Sequence, residues 1–344
     1  MKRIVLGLSD GVDSAVAADM LKRQGYEVTG VYLINAGEAE LESARKSAGE
    51  LGIRFEAADI SDRLRECVCE PFICEYLSGR TPSPCPGCNR TVKLDALIRR
   101  ADELGIDAVS TGHYVLKQGD ALYRGDESCD QSYMLGLISR EQLHRLILPL
   151  GSYKKTEIRQ IAKDLNLSCA DRADSRENCF IRDMDYVSYI RKSRPEAIKS
   201  GGDVYYQGRV FDTHDGIYGY TVGQRWKKDC SGRRLYVSRI DSAKNSIELC
   251  LWEELFTYEV DIGNLNLLCN LPENAEITAG IRVRHTRWET PECRLVIHGN
   301  TAHAVTAQPL RAPAKGQIAA LYIGSRLIGG GTVESLAADY PIFR

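Results

Sequence analysis

Three of the twelve cysteines stand in settings that expose their chemistry. The stretch Thr81-Pro-Ser-Pro-Cys85-Pro-Gly-Cys88-Asn89 places three prolines and a glycine in seven residues. Such a run excludes both helix and central strand, so a rigid loop presenting two thiols is expected. A Cys-x-x-Cys pair can bind metal, form a disulfide or lower one thiol's pKa. A zinc site would want a second such pair, and none is evident. Cys179 lies in ADRADSRENCFI (170–181), which is polar and without periodicity. A single Cys in a polar loop is a candidate nucleophile, and a thiol opening a core strand is an equal reading. Cys67, Cys69 and Cys74 fall on a helical stretch, 63–79, at spacings that scatter them around it. They read as small, half-buried side chains.

A second chemical signal lies at Ile4 to Ser14, IVLGLSDGVDS. The apolar run reads as a buried strand, the Gly- and Ser-containing turn ends it, and Ala15, Val16, Met20 and Leu21 recur at helical steps. A turn between a strand and a helix N-terminus suits phosphate, because free backbone N–H groups and the positive dipole end meet there. No Gly-Lys-Ser/Thr follows, so the loop is not of the Walker type. Further along, Thr111-Gly112-His113-Tyr114 follows a strand-like run, and Asp130 offers an acidic N-cap for a helix.

These residues need a scaffold to bring them together. Strand-like runs at 27–33, 53–58 and 106–109 alternate with helical patterns at 39–51, 63–79 and 155–165. The alternation predicts an α/β fold with a doubly wound parallel sheet, whose crevice lies at the carboxyl ends of the strands. From Gly201 the texture changes to short β-prone runs with Gly and Asn turns. Boundaries are placed near 200 and 255, giving domains 1–200, 201–254 and 255–344. Two small β-rich domains, antiparallel barrels or sandwiches, therefore follow the first.

The net charge is −2 with 27% charged residues, so any nucleic-acid surface must be a local patch. Val222–Arg234 holds five Lys or Arg against one Asp, and Ile281–Trp288 holds three Arg and no acid. Each cluster includes a tryptophan, which favours RNA contact by stacking. Arg225, Lys227, Lys228, Arg284 and Arg287 are the expected phosphate contacts, with Arg191 and Arg194 adding to them. No signal peptide and no run of ~18 apolar residues is evident, so the expected location is cytoplasmic, away from membranes.

In series, the stretches LSDGVDSAVAADML, GRTPSPCPGCN, TGHY, DQSYML, LPLGSYKKTEIRQIA, DSRENCFI, HDGIYGYTVGQR and KGQIAALYIGSRLIGGG resemble the bacterial tRNA-specific 2-thiouridylases of the ATP pyrophosphatase superfamily. The resemblance implies a catalytic pyrophosphatase domain, a small central domain and a C-terminal β-barrel, with ATP, Mg²⁺ and tRNA as ligands. It implies that Gly7, Leu8, Ser9, Asp10, Gly11, Val12, Asp13, Ser14, Leu33 and Gly112 bind ATP. Cys88 and Cys179 match the catalytic cysteines, and Ser83, Pro84 and Cys85 would line the target base. His113, Cys129, Asp130, Gln131, Arg284, His285 and Gln317 match tRNA-touching positions. The expected partners are Glu, Gln and Lys isoacceptor tRNAs and a sulfur donor, such as a cysteine desulfurase or a sulfur-relay protein. Asp10 stands where the family has Gly, Cys129 stands where many members have Lys, and the segment between Leu33 and Ile53 is shorter.

The implied reaction adenylates the wobble uridine at its C2 oxygen and then displaces AMP with sulfur. Two sulfur schemes fit the residues. In one, Cys179 carries a persulfide and Cys88 releases its sulfur, leaving a disulfide. In the other, Cys85, Cys88 and Cys179 hold a [4Fe–4S] cluster that binds sulfide. Competing readings are a pyrophosphatase ligase acting on a small metabolite, a thiolase for another RNA, and a non-catalytic RNA-binding paralogue motivated by Asp10.

Overall fold

The computed structural model describes residues 2–35, 38–173, 178–272, 274–284 and 290–336. Its first part begins β1 (Lys2–Gly7), α1 (Val12–Arg23), β2 (Tyr26–Ile34), α2 (Glu38–Leu51) and β3 (Arg54–Asp59). Helices α3 (Ser61–Leu64), α4 (Glu70–Leu77), α5 (Pro84–Cys88) and α6 (Leu94–Glu103) follow, then β4 (Ala108–Ser110), β5 (Val115–Gln118) and β6 (Ala121–Arg124). α7 (Arg140–Arg145), β7 (Leu146–Ile147), α8 (Lys155–Asp164) and α9 (Tyr186–Ser193) complete it. The sheet is parallel with strand order β3-β2-β1-β4-β7. The order reverses between β1 and β4, so the ligand crevice opens beyond their carboxyl ends.

Alternation along β1 builds both layers. Ile4 and Leu6 pack with α1, α2 and α8 on one face. Val5 joins Val31 and Val109 against Leu94, Leu97 and Ala101 of α6 on the other. Each fully buried aliphatic side chain here contributes roughly 1.5–3 kcal/mol.

A small sheet, β10 (Tyr236–Asp241), β11 (Ser246–Cys250), β8 (Gly202–Tyr206) and β9 (Arg209–His214), comes next in that order. Then β12 (Phe256–Leu267), β13 (Glu276–Arg282), β14 (Glu292–His298), β15 (Thr301–Arg311), β16 (Ile318–Ile323) and β17 (Arg326–Leu336) close a six-stranded barrel through the β12–β17 pairing. Glycine permits that closure: a Cβ on Gly329 would lie 2.0 Å from the Asn266 carbonyl oxygen.

Three local expectations are corrected, and one element is new. The proline run is not a plain loop, because Pro84 opens helix α5 at a position where its missing N–H is no loss. Asp130 precedes a 3₁₀ turn at Ser132–Leu135 instead of an α-helix; its carboxylate accepts the Ser132 N–H at 3.0 Å. Residues 217–219 form a 3₁₀ turn within the region after Gly201 that was expected to hold short β runs. The hairpin β5–β6 was not expected; β6 adds to the barrel sheet beside β17, with Leu122 paired to Leu327. Sheet and barrel therefore share one core, in which Val5 and Val109 are continuous with Ile318, Ala320 and Tyr322.

Candidate active site

The turn after β1 is held by its own hydroxyls. Ser14 Oγ accepts the Ser9 N–H at 3.0 Å, and Ser9 Oγ accepts the Gly11 N–H at 3.1 Å. Gly11 precedes α1 without a side-chain cap, so the first-turn N–H groups are left for a ligand. Both loop carboxylates are already countered. Lys155 donates to both oxygens of Asp13 at 2.7 Å, and the Tyr114 hydroxyl donates to the same group at 2.6 Å. Asp10 pairs with Arg172 at 2.6 Å, and Arg172 also donates to Ser43 Oγ at 2.8 Å. The substituted Asp10 therefore does not present a bare charge to the loop.

Gly112 lies against this turn: a Cβ there would come within 3.1 Å of the Asp13 carbonyl carbon and the Ser14 nitrogen. The cradle fits a polyphosphate, since it combines uncapped N–H groups, a close backbone approach at Gly112, and paired acids. The next residue, His113, extends the site toward sulfur. Its Nδ1 lies 2.8 Å from Thr111 Oγ1 and its Nε2 3.4 Å from Asn89 Nδ2. Asn89 also donates to the Met134 carbonyl at 2.9 Å, and it directly follows Cys88. A short chain of contacts thus links the phosphate loop to the buried Cys88.

Cys88 ends α5 between two π-helical turns, Arg65–Cys69 and Asn89–Lys93. It belongs to a buried cluster with Ile60, Leu64, Val68, Cys69 and Val92, and Leu33 and Phe180 pack against that cluster. Cys179 and Cys85 are exposed. Burial pushes the Cys88 thiol up to about 12, opposed by the ammonium of Lys93 and reinforced by the charges of Cys179, Cys85 and Cys69. Burial opposes the charge of Lys93 too, yet Cys88, Cys179 and Cys85 hold its pKa above the ordinary lysine value. Burial, followed by Lys93, lowers His113 to about 4, so its ring is neutral at physiological pH.

The sequence reading assigned no role to Lys93, Asn89, Arg172 or Lys155. Lys93 follows Cys88 by five residues, one π turn, a spacing no motif announces. Among the described residues no three His, Cys, Asp or Glu side chains are grouped as a metal shell. Cys85, Cys88 and Cys179, as placed, thus do not fit a [4Fe–4S] cluster.

The residues expected at tRNA have mixed placements. Pro84 opens α5, and Ser83 Oγ lies 3.5 Å from the Tyr133 hydroxyl. Gln131 Oε1 accepts the Tyr114 N–H at 3.1 Å, and Cys129 Sγ lies 3.5 Å from the Tyr153 carbonyl oxygen. Arg284 donates to the carbonyls of Val222 and Ala312, which tie the small sheet domain to the barrel. Gln317 Oε1 is buried with no hydrogen-bond partner among the described residues. His285 and Arg287 lie outside the described residues. Trp226 is not available for stacking: it is 1% exposed, donates to Asp212 at 3.0 Å and stacks on Tyr220, because it is the core of its small domain. Arg225, Lys227 and Lys228 remain exposed around it. No helix among the described residues is long and apolar enough to cross a membrane.

Three family models match the chain in series. They are described as a tRNA methyl transferase HUP domain (2–183), a tRNA methyl transferase PRC-barrel domain (186–250) and an aminomethyltransferase beta-barrel domain (258–333). The chain is 36% identical to the tRNA-specific 2-thiouridylase MnmA of Clostridium acetobutylicum, over 97% of this chain and 99% of that one. It is 38% identical to the protein of the same name from Methylobacterium radiotolerans, over 98% and 94%. It is 36% identical to MnmA 2 of Caldanaerobacter subterraneus, over 96% and 98%. Identity of this extent, end to end, means that the chain belongs to the tRNA-specific 2-thiouridylase family.

Proposed function

We propose that the chain is a tRNA-uridine 2-sulfurtransferase that consumes ATP and delivers sulfur through Cys179 and Cys88. The observation that carries this reading is the contact chain from Ser14 through Gly112, His113 and Asn89 to Cys88. It joins a phosphate cradle to a thiol, which an ATP-dependent thiolation requires and a metabolite ligase does not.

The uridine C2 oxygen attacks the α-phosphorus of ATP and pyrophosphate departs, leaving an adenylate. Mg²⁺ bound with the triphosphate supplies charge neutralisation for that departure. The first-turn N–H groups of α1 orient the phosphates, and Lys155 keeps the Asp13 carboxylate paired beside them. Cys88 thiolate then attacks Sγ of the Cys179 persulfide and expels hydrosulfide, which displaces AMP at C2. The products are 2-thiouridine, AMP and a Cys88–Cys179 disulfide, so atoms and electrons balance. Lys93 favours the thiolate at Cys88 against the effect of burial. Incubating the chain with ATP, a persulfide donor and unmodified tRNA should give 2-thiouridine by nucleoside mass spectrometry, with one AMP per sulfur. ATP–pyrophosphate exchange in the absence of RNA, with no thiolation, would sink the proposal.

Asp10 should weaken ATP binding, because Arg172 is engaged by a carboxylate instead of by phosphate. Asp10→Gly is expected to tighten ATP binding by roughly tenfold in titration calorimetry. Weaker binding would mean that the carboxylate holds Mg²⁺.

The exposed cations Arg225 and Lys227 are expected to contact tRNA phosphates. Reversing both to Glu should reduce the steepness of log K against log salt by about 2, near 0.9 per phosphate. An unchanged slope would put the RNA on another face. Arg284 is a poor site for this test, since its guanidinium is spent on two carbonyls between domains.

A further inference from the structure

Cys69 is unused by this mechanism, yet it borders the reacting thiols. It ends the first π-helical turn and lies in the same buried cluster as Cys88, against which α5 packs. Cys179 is tied to the same wall through its neighbour. The Phe180 ring meets Phe72 edge-on at 5.2 Å and Tyr189 at 5.7 Å, and Phe180 packs against the cluster that holds Cys69 and Cys88. Burial raises the Cys69 pKa, and Cys179 is near enough for its charge to add to that rise. Insertions of the π type often mark functional positions, and here two of them frame one group of thiols.

We propose that Cys69 is a resolving thiol that moves the disulfide made by sulfur transfer from Cys88–Cys179 to Cys69–Cys179. The inference rests on the persulfide reading above. The Cys69 thiolate attacks Sγ of Cys179; a new S–S bond forms, the old one breaks, and its electron pair leaves on Cys88. The proton lost by Cys69 is matched by one gained at Cys88, and the oxidation level is unchanged. The leaving charge arrives beside the Lys93 ammonium, which favours a thiolate there. Burial raises the Cys69 pKa, so the exchange is slower than one from an exposed thiol. Cys88 is returned to its reduced form inside the protein, and the remaining disulfide has one exposed end, at Cys179, which an external dithiol can reduce with two electrons.

The test is a disulfide map of the full chain after mild oxidation with oxidised glutathione, alkylation of free thiols and peptide mass spectrometry. Wild type should contain a Cys69–Cys179 peptide pair beside Cys88–Cys179. Cys88→Ser should contain Cys69–Cys179 as the major pair. During thiolation, Cys69→Val should raise the dithiol concentration needed for half-maximal turnover at least fivefold. If Cys69 is alkylated in every oxidised sample, the resolving role is overturned, and wild type alone suffices to show it. Retained activity in both Cys88→Ser and Cys179→Ser would instead overturn the thiolation reading, which the disulfide map does not address.

Discussion

Cys88→Ser and Cys179→Ser are each expected to lose thiolation by at least ~10³-fold, the scale on which an enzyme loses its nucleophile. A serine hydroxyl can neither hold a sulfane sulfur nor attack one at neutral pH. Neither thiol contributes ground-state affinity, so ATP and tRNA binding should stay within about twofold. Cys88 is the more sensitive site to fold around, being 4% exposed, and Ser is the smallest change there. Cys85→Ser separates the two sulfur schemes. A relay through Cys88 and Cys179 keeps much of its activity without Cys85, whereas a cluster held by three thiolates loses iron and turnover. Anaerobic reconstitution of wild type and Cys85→Ser, followed by iron content and thiolation of unmodified tRNA, reads the difference. Thiolation by iron-free wild type, matched by Cys85→Ser, excludes the cluster; activity in Cys88→Ser would overturn the whole assignment of thiols.

What was legible in the sequence was what is local. The strand, turn and helix around Ser9–Ser14 are encoded by neighbours: apolar Ile4–Leu6 ends where hydroxyls and Gly11 satisfy the turn. The parallel sheet followed from alternation alone, whereas short strands with Gly turns left barrel and sandwich open, and the barrel followed from the family resemblance. The hairpin β5–β6 escaped because its role is set by β17, some 200 residues later, and not by its own pattern. The long strand β12 escaped for a similar reason, since its partners are β15 and β17. Helix α5 escaped because proline composition argues against helix except in the first turn, where Pro84 sits.

The site divides in the same way. Cys88 and Cys179 were found as unusual local settings, but what surrounds them is tertiary. Lys93 enters the thiol group through a five-residue turn, and Cys69 through packing of α5 on the other such turn. Arg172 reaches Asp10 across 162 positions of sequence, so the carboxylate in the loop looked more costly from sequence than it is. Trp226 erred the other way: a tryptophan among cations suggested stacking, whereas it packs with Leu235, Val237, Ile247 and Leu249 as the largest side chain in the core of its small domain.

The largest stability effect is expected at the ion pair between Asp130 and Arg282. Arg282 donates to Asp130 at 3.0 Å, and both side chains are almost fully buried, 8% and 7% exposed. The carboxylate also accepts the N–H groups of Gly125 and Ser132 at 3.1 and 3.0 Å, and the guanidinium lies over the Tyr133 ring. Ser132 Oγ in turn meets the Tyr322 hydroxyl at 3.0 Å. The pair thus pins the turn after β6 to strands β13 and β16 of the barrel. Removing one partner leaves a charge in low dielectric with nothing to offset its desolvation, and breaking such a pair costs about 3–5 kcal/mol. Asp130→Asn should fall in this range by urea denaturation, because the amide keeps the backbone contacts but not the charge. Arg282→Met alone strands the carboxylate and should cost a similar amount. Asp130→Asn combined with Arg282→Met should cost less than the sum of the two, since neither uncompensated charge remains. A strictly additive pair would mean that the two groups act separately, with Asp130 free to meet tRNA. Coupling of about 2 kcal/mol or more would make the pair a joint between the sheet and the barrel, holding the phosphate loop in register with the barrel.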